Sequence, residues 1–421
     1  MSNPIQYDPS CADDFDPTSL SVSEALRRIL NAVTPLADVE EVATADTLNR
    51  ILARDIVSHL NVPACTNSAM DGYAILGSDI PAQGTRELRI VGTAFAGRPY
   101  TAMISSGECV RIMTGAPLPI GSDTIVIQER VERIGDRIRL DAQHRHGDNV
   151  RQAGEDIKAG QIVLHAGRRL IPADIGLIAS LGIARALVYR RLRVAFFSTG
   201  DELKAIGEPL GPGDVHDSNR YTLRGMLQRL GAELIDIGIV RDTQAETRAA
   251  FETATSSSDV IISSGGVSVG EADFVKGVLH ELGRAEFWKV AMKPGRPLTF
   301  GRVRDAVFFG LPGNPVSVMV TFYQFVQPAL RRMMGETQVY NLQLRAICTS
   351  RLKKRPGRVE FQRGILEQNG DGELTVRKTG MQGSGILTSM SQANCFIVLP
   401  HESTGVETGT LVTVQPFAGL V

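Results

Sequence analysis

Asp259–Asp273 reads DVIISSGGVSVGEAD. Val260, Ile261 and Ile262 form a short β-branched run of the kind that fills a strand of a parallel sheet covered on both faces. The apolar run stops at Ser263, Ser264, Gly265 and Gly266, with Ser268 close behind. Hydroxyls and backbone N–H groups are on offer there, and glycine lets the main chain approach a ligand closely or adopt positive φ. A helix is predicted from about Asp273 to Leu282. Because ligands of open α/β sheets bind beyond the carboxyl ends of the strands, the stretch reads as a strand emptying into a phosphate-binding loop. Taken alone, Gly-Gly after a strand is as often only a turn.

Outward from this stretch, residues 193 to 333 alternate strand and helix: RVAFFS, a helix near Ser218 to Leu230, ELIDIGIV, a helix near Thr243 to Ala254, DVIIS, a helix, then FWKVAM. The pattern predicts a doubly wound, mostly parallel α/β sheet within a multidomain chain. Residues 334 to 421 change to short alternating runs such as QLRAICTS, RVEFQRGILE, ELTVRK and CFIVLP, which predict a small β-barrel. Residues 60 to 148 are likewise strand-rich and broken by Gly and Pro. They read as a β-rich module inserted into a discontinuous scaffold of residues 20 to 59 and 149 to 192. Within that scaffold Ser21 and Glu24 form a candidate capping box before Val22, Ala25, Leu26, Ile29 and Leu30, which share a helical face. A second helix is expected from Val42 through Ile51, and a third in PADIGLIASLG. Residues 1 to 19 read as a loose tail.

The chain has 421 residues, enough for two to four domains. Its net charge is −1 and it has no long block of like charge, which argues against a nucleic-acid or membrane-surface protein and for a small-molecule substrate. Cysteines 11, 65, 109, 348 and 395 are odd in number and in no metal-binding spacing, so they read as reduced thiols of a cytoplasmic protein. No apolar run is long enough to span a bilayer.

Acids recur where strands end: Asp201 and Glu202 after RVAFFSTG, Asp242 after ELIDIGIVR, and Asp273. Carboxylates alone would repel a phosphate, whereas carboxylates holding Mg²⁺ beside cations suit phosphoryl transfer or phosphate cleavage. Lys289, Lys293 and Arg296 lie nearby in FWKVAMKPGRP, where two prolines and a glycine force a rigid turn. In GLPGNPVSVMVTF, Pro315 fits the first position of a helix and Asn314 its cap. Asp71, Asp156 and Ser384, each in a glycine-containing loop, read from chemistry alone as turn residues. His144 and His146 are expected on a surface loop, and Trp288 in the core.

NSAMDGYA, AGEDI, FFSTGDEL, DSNRY, SSGGVSVGEADF, FWKVAMKPGRP, GLPGNPVS, EFQRG and MQGS occur in this order. With them the chain resembles, over about residues 20 to 421, the MoeA family of molybdopterin molybdenumtransferases related to the gephyrin E domain. The resemblance implies a homodimer that inserts molybdate into adenylylated molybdopterin and releases AMP with the help of Mg²⁺. It further implies that Asp71, Asp156, Glu202, Asp242, Asp273, Lys289 and Lys293 serve catalysis, with the metal on Glu202, Asp242 and Asp273. Asn219, Gly265, Gly266, Ser268, Pro312 and Pro315 would hold the nucleotide and pyrophosphate. Lys293, Ser317, Arg363 and Ser384 would hold molybdate. Asp71 with the Thr114-Gly115 loop would arrive from the other subunit, and other proteins of cofactor biosynthesis are possible partners. Arg296 stands where many members have lysine, which keeps the charge but changes its hydrogen-bond geometry. Two readings compete. Molybdopterin adenylyltransferases resemble residues 193 to 333 only, and a gephyrin-like scaffold would need no such polar set.

Overall fold

A computed structural model describes residues 18–265 and 274–417. Its central sheet has six strands in the order Glu233–Val240, Arg193–Thr199, Val260–Ser264, Ala306–Leu311, Pro297–Val303 and Gly283–Lys289. The first four run parallel and the last two antiparallel. Successive side chains of a strand point to opposite faces, and here each face meets its own core. Val194, Phe196, Val260 and Ile262 enter one cluster, whereas Ala195, Phe197 and Ile261 enter another. Phe196 and Phe197 are fully buried, each contributing roughly 1.5–3 kcal/mol through apolar burial.

Helix Ser218–Leu230 covers the first face. Its start is fixed by the Asp217 carboxylate, which accepts from the Arg220 N–H, and its end by Gly231 at φ 82°. Helices Gln244–Ser257 and Phe274–Leu282 cover the second face through Phe251, Val278 and Leu279. All three stand where the alternation predicts them.

In the N-terminal part, Ser21 Oγ accepts from the Glu24 N–H at 3.1 Å and opens helix Val22–Ala32. The Glu24 carboxylate turns to Arg27 and Arg28. The helix expected over residues 42 to 51 does not form. Val39–Ala43 is a strand paired antiparallel with Arg185–Tyr189, followed by one tight turn at Thr44–Asp46. Pairing with Arg185–Tyr189 over all five residues holds VEEVA extended despite its lack of alternation, and Asn49 at φ 61° stops any helix there. Pro172–Ser180 is helical, as expected.

The chain leaves this region and returns to it along one ribbon, in which Ile56–Val57 pairs with Ile162–Leu164 and Asn67–Ser68 with Val150–Arg151. Between the two lies a six-stranded sheet running from Thr124–Ile127 to Glu132–Ile134. His144, expected at the surface, is 9% exposed, whereas His146 is exposed and contacts Asp123 at 3.1 Å. His144 follows the turn after strand Arg137–Asp141, its Nε2 3.9 Å from Asp141 Oδ1. Beyond residue 343, Val359–Gln368, Leu374–Lys378, Leu344–Cys348, Leu411–Pro416 and Cys395–Leu399 pair in a ring that closes on itself, a five-stranded barrel. Met292–Lys293 joins this barrel, pairing parallel with Val359 and Glu360. That short strand hydrogen-bonds the barrel to the ligand edge of the central sheet.

Cys65, Cys109, Cys348 and Cys395 are free thiols. Trp288 is half-buried, with its ring 5.5 Å from Phe300. Among the described residues no helix is long and apolar enough to cross a membrane.

Candidate active site

The carboxyl ends of the parallel strands open into a cavity of about 550 Å³. One wall comes from the strand ends and their loops: Thr199, Gly200 and Glu202, then Asp242, then Ser264 and Gly265, then Pro312, Gly313 and Asn314. Gly265 has φ 92°, and a Cβ placed there would lie 2.6 Å from the Thr199 carbonyl oxygen. Only glycine allows these two strand ends to lie so close. Asn219, in the first turn of helix Ser218–Leu230, donates through Nδ2 to Ser264 Oγ at 2.8 Å and to the Gly313 carbonyl at 2.7 Å. Its Oδ1 and the Thr199 Oγ1 are buried and have no partner among the described residues. Buried polar atoms are rarely left unpaired, so these two suit a ligand that brings donors into the cavity.

Acids collect on the same wall. The Asp242 N–H donates to Asp201 Oδ1 at 3.2 Å. Burial pushes the Asp242 carboxyl above its ordinary range, and the charges of Asp201 and Glu202 push it further. Carboxylates that oppose each other's ionisation fit a divalent cation, which would relieve both the repulsion and the desolvation. Asp273, the third expected ligand, lies outside the described residues, as do Gly266 and Ser268. Among the described residues no three acidic, His or Cys side chains stand close enough to hold an ion.

The same cavity carries cations. Lys293, Arg296 and Arg358 line it, with Ser317 and Ser384. The Ser384 carbonyl accepts from the Val316 N–H at 3.1 Å, bringing the barrel loop against the helix that begins at Pro315. Pro315 occupies the first helical position and Asn314 the cap, as the sequence predicts, although the Asn314 side chain makes no capping hydrogen bond. A second cavity of about 760 Å³ shares Lys293, Pro294 and Ser384 with the first and extends along the barrel past Lys353, Glu360 and Lys378. Lys293 and Ser384 therefore stand where two chambers meet.

Arg363 lines neither chamber and is 1% exposed. Its Nε donates to Ser389 Oγ and its Nη2 to the Gly383 carbonyl, each at 3.0 Å. Gln382 completes the lock: its Oε1 accepts from the Arg363 N–H at 2.7 Å, and its Nε2 donates to the Thr379 carbonyl at 2.9 Å. Among the described residues no carboxylate lies at ion-pair distance from Arg363, and burial pulls its guanidinium down to about 10. A positive charge, opposed by burial and supported by the charge of Glu360, thus sits bonded to Gly383, next to Ser384. Lys289 is exposed at the end of the edge strand and does not line the cavity.

Asp71, Thr114 and Gly115 form a cluster of their own in the β-rich module. Asp71 Oδ1 accepts from both the N–H and the Oγ1 of Thr114 at 2.7 Å. The Thr114 backbone hydrogen bond, with that hydroxyl, holds the carboxyl below its ordinary range. Neither this cluster nor the exposed Asp156 lines the cleft of the same chain. A further cavity, about 800 Å³, lies at the edge strand beside Phe287 and Trp288 and carries none of the predicted site residues.

Three family models cover the chain. The MoeA N-terminal region (domains I and II) matches residues 20–182, a probable molybdopterin binding domain matches 195–332, and the MoeA C-terminal region (domain IV) matches 345–417. The chain belongs to the MoeA family. Its similarity to individual members runs almost end to end. It is 44% identical to a molybdopterin molybdenumtransferase of Haemophilus influenzae, over 96% of this chain and all of that one. A gephyrin of Dictyostelium discoideum is 33% identical over 93% of this chain and 61% of its own length. The crystal structure of a molybdopterin biosynthesis MoeA protein from Pyrococcus horikoshii OT3 superposes with a TM-score of 0.83 at 29% identity, covering 95% of this chain and all of that one. Within this MoeA fold, Thr199 and Arg358 are cleft residues that sequence reasoning passed over. RPGR directly precedes the EFQRG motif, and Gly357 at φ 105° marks the turn that aims Arg358.

Proposed function

We propose that the protein is a molybdopterin molybdenumtransferase that inserts molybdate into adenylylated molybdopterin and releases AMP. The reading is carried by one observation: the strand-end loops with Asn219, Gly265, Glu202 and Asp242 and the cations Lys293, Arg296 and Arg358 line one nucleotide-sized chamber, and Lys293 and Ser384 stand where it joins the second. Asn219, Gly265 and the Pro312–Asn314 turn would seat the nucleotide and its pyrophosphate. Lys293 and the hydroxyls of Ser317 and Ser384 would bind the MoO₄²⁻ dianion through charge-assisted hydrogen bonds. Arg363 would add its charge from beneath the loop. Glu202, Asp242 and Asp273 would hold Mg²⁺, which when bound polarises a phosphoryl oxygen. Burial within the cleft strengthens the cationic groups that draw the phosphate and the oxyanion together, because interactions there are screened less than in water.

Asp71, Thr114, Gly115 and Asp156 face away from this cleft, so we assign them to the cleft of a second copy in a homodimer, with Lys289 at the margin. The adenylyltransferase alternative is disfavoured by the family matches on both sides of the central sheet. The test is reconstitution: protein, adenylylated molybdopterin, molybdate and Mg²⁺ should activate an apo molybdenum enzyme. Activation that is equally fast without the protein would refute the assignment.

A further inference from the structure

Among the described residues that line the nucleotide-side cavity, the barrel supplies two, Ser384 and Arg358, and only Arg358 is charged. Its backbone is clamped on both sides. The Gly357 N–H donates to the His401 carbonyl at 2.8 Å, and the Val359 N–H donates to the Ala291 carbonyl at 3.0 Å. Val359 is then in register with Met292, so Arg358 enters the cleft beside the strand that carries Lys293. The two chambers separate its role from that of its neighbours: Lys293 and Ser384 line both, whereas Arg358 lines only the one that contains Asn219 and Gly265. Glu202 and Asp242 line that same chamber.

We propose that Arg358 is a substrate-binding residue that grips the phosphate of the nucleotide, making the barrel the second jaw of the nucleotide site. A guanidinium presents a planar fork of donors that matches two phosphate oxygens at once, which an ammonium does not. The acids of the chamber would repel a phosphate on their own. A fixed cation in the same chamber lets the phosphate lie between guanidinium and metal. The inference rests on the nucleotide reading given above and adds a residue and a ligand group to it.

Titration of wild type, Arg358→Ala and Arg358→Lys with AMP, adenosine and molybdate tests it. Loss of a charge-assisted hydrogen bond weakens binding by about tenfold to a hundredfold. Arg358→Ala should show that loss for AMP and no change for adenosine or molybdate, with Arg358→Lys in between. Thermal melting should show both variants folded; should Arg358→Ala not fold, Arg358→Lys carries the comparison. Equal losses for AMP and adenosine would mean that Arg358 touches the base or ribose, and a loss for molybdate alone would make it an oxyanion ligand. Either result, or unchanged AMP affinity, overturns the proposal while leaving the nucleotide site intact. A wild-type protein that binds no AMP would remove both this inference and the reading beneath it.

Discussion

At Asp242 burial and the nearby Asp201 and Glu202 all oppose ionisation. The folded chain therefore holds this proton more tightly than the unfolded chain does. Wherever the group is ionised in both states it lowers stability, and the penalty lifts as pH falls through its raised value towards the ordinary 3.8. In chelator at pH 7, Asp242→Asn should be more stable than wild type, and the gain should vanish below the ordinary carboxylate range. Mg²⁺ should reverse the order, because linkage adds about 2.7 kcal/mol at a hundred times the dissociation constant and the variant loses most of it. Melting curves of both proteins across pH, with and without Mg²⁺, check this; a wild-type midpoint indifferent to Mg²⁺ would count against a metal here. Arg363 shows the limit of reading single residues. EFQRG gives its identity and family, but that it lies beneath the Ser384 loop follows from closure of the barrel, which buries Phe361, Gln362, Arg363 and Gly364 in succession. No alternation in the sequence announces four consecutive buried positions.

At the scale of elements, strand ends and helix caps were the legible features. Ser21 opens a helix, and the apolar run ending at Ser263 marks a strand, because the forces involved are local. Val39–Ala43 was misread because its partner, Arg185–Tyr189, lies far along the chain. The joint between strands Arg193–Thr199 and Val260–Ser264 gives the sharpest test at this scale. Gly265→Ala combines positive φ with a clash against the Thr199 carbonyl, and such strain costs of order 1–3 kcal/mol. Chemical denaturation should show a loss of that size, and AMP affinity should fall with it. An alanine variant of wild-type stability and affinity would mean that the loop is not held as described.

For the whole molecule, the cleft depends on the scaffold, sheet and barrel keeping their places. Glu336 accepts from Arg169 Nε at 3.2 Å and Nη2 at 3.0 Å, and Arg331 Nε lies 3.8 Å away. Burial already pulls the Arg331 guanidinium below its ordinary range. Removing the carboxylate leaves two arginines without an ion-pair partner among the described residues where the scaffold meets the central domain, and breaking a buried pair in this way costs about 3–5 kcal/mol. Glu336→Ala should lower the urea midpoint accordingly; a shift no larger than that of an exposed substitution would show the cluster to be solvated. If Asp71 serves the cleft of a second copy, co-expressed Asp71→Ala and Asp242→Ala chains should recover roughly a quarter of wild-type activity, as random pairing of a two-fold dimer gives one intact site in each mixed pair. No recovery would place each site within one chain.

The central claim is that nucleotide and oxyanion meet at Lys293 and Ser384, so cleavage on one side should wait for the ligand on the other. Single-turnover release of AMP from bound adenylylated molybdopterin, with and without molybdate, measures this directly. Wild type should release AMP quickly only when molybdate is added, whereas Lys293→Ala should bind the nucleotide but lose most of the acceleration. AMP release at one rate in both proteins, with or without molybdate, would contradict the account.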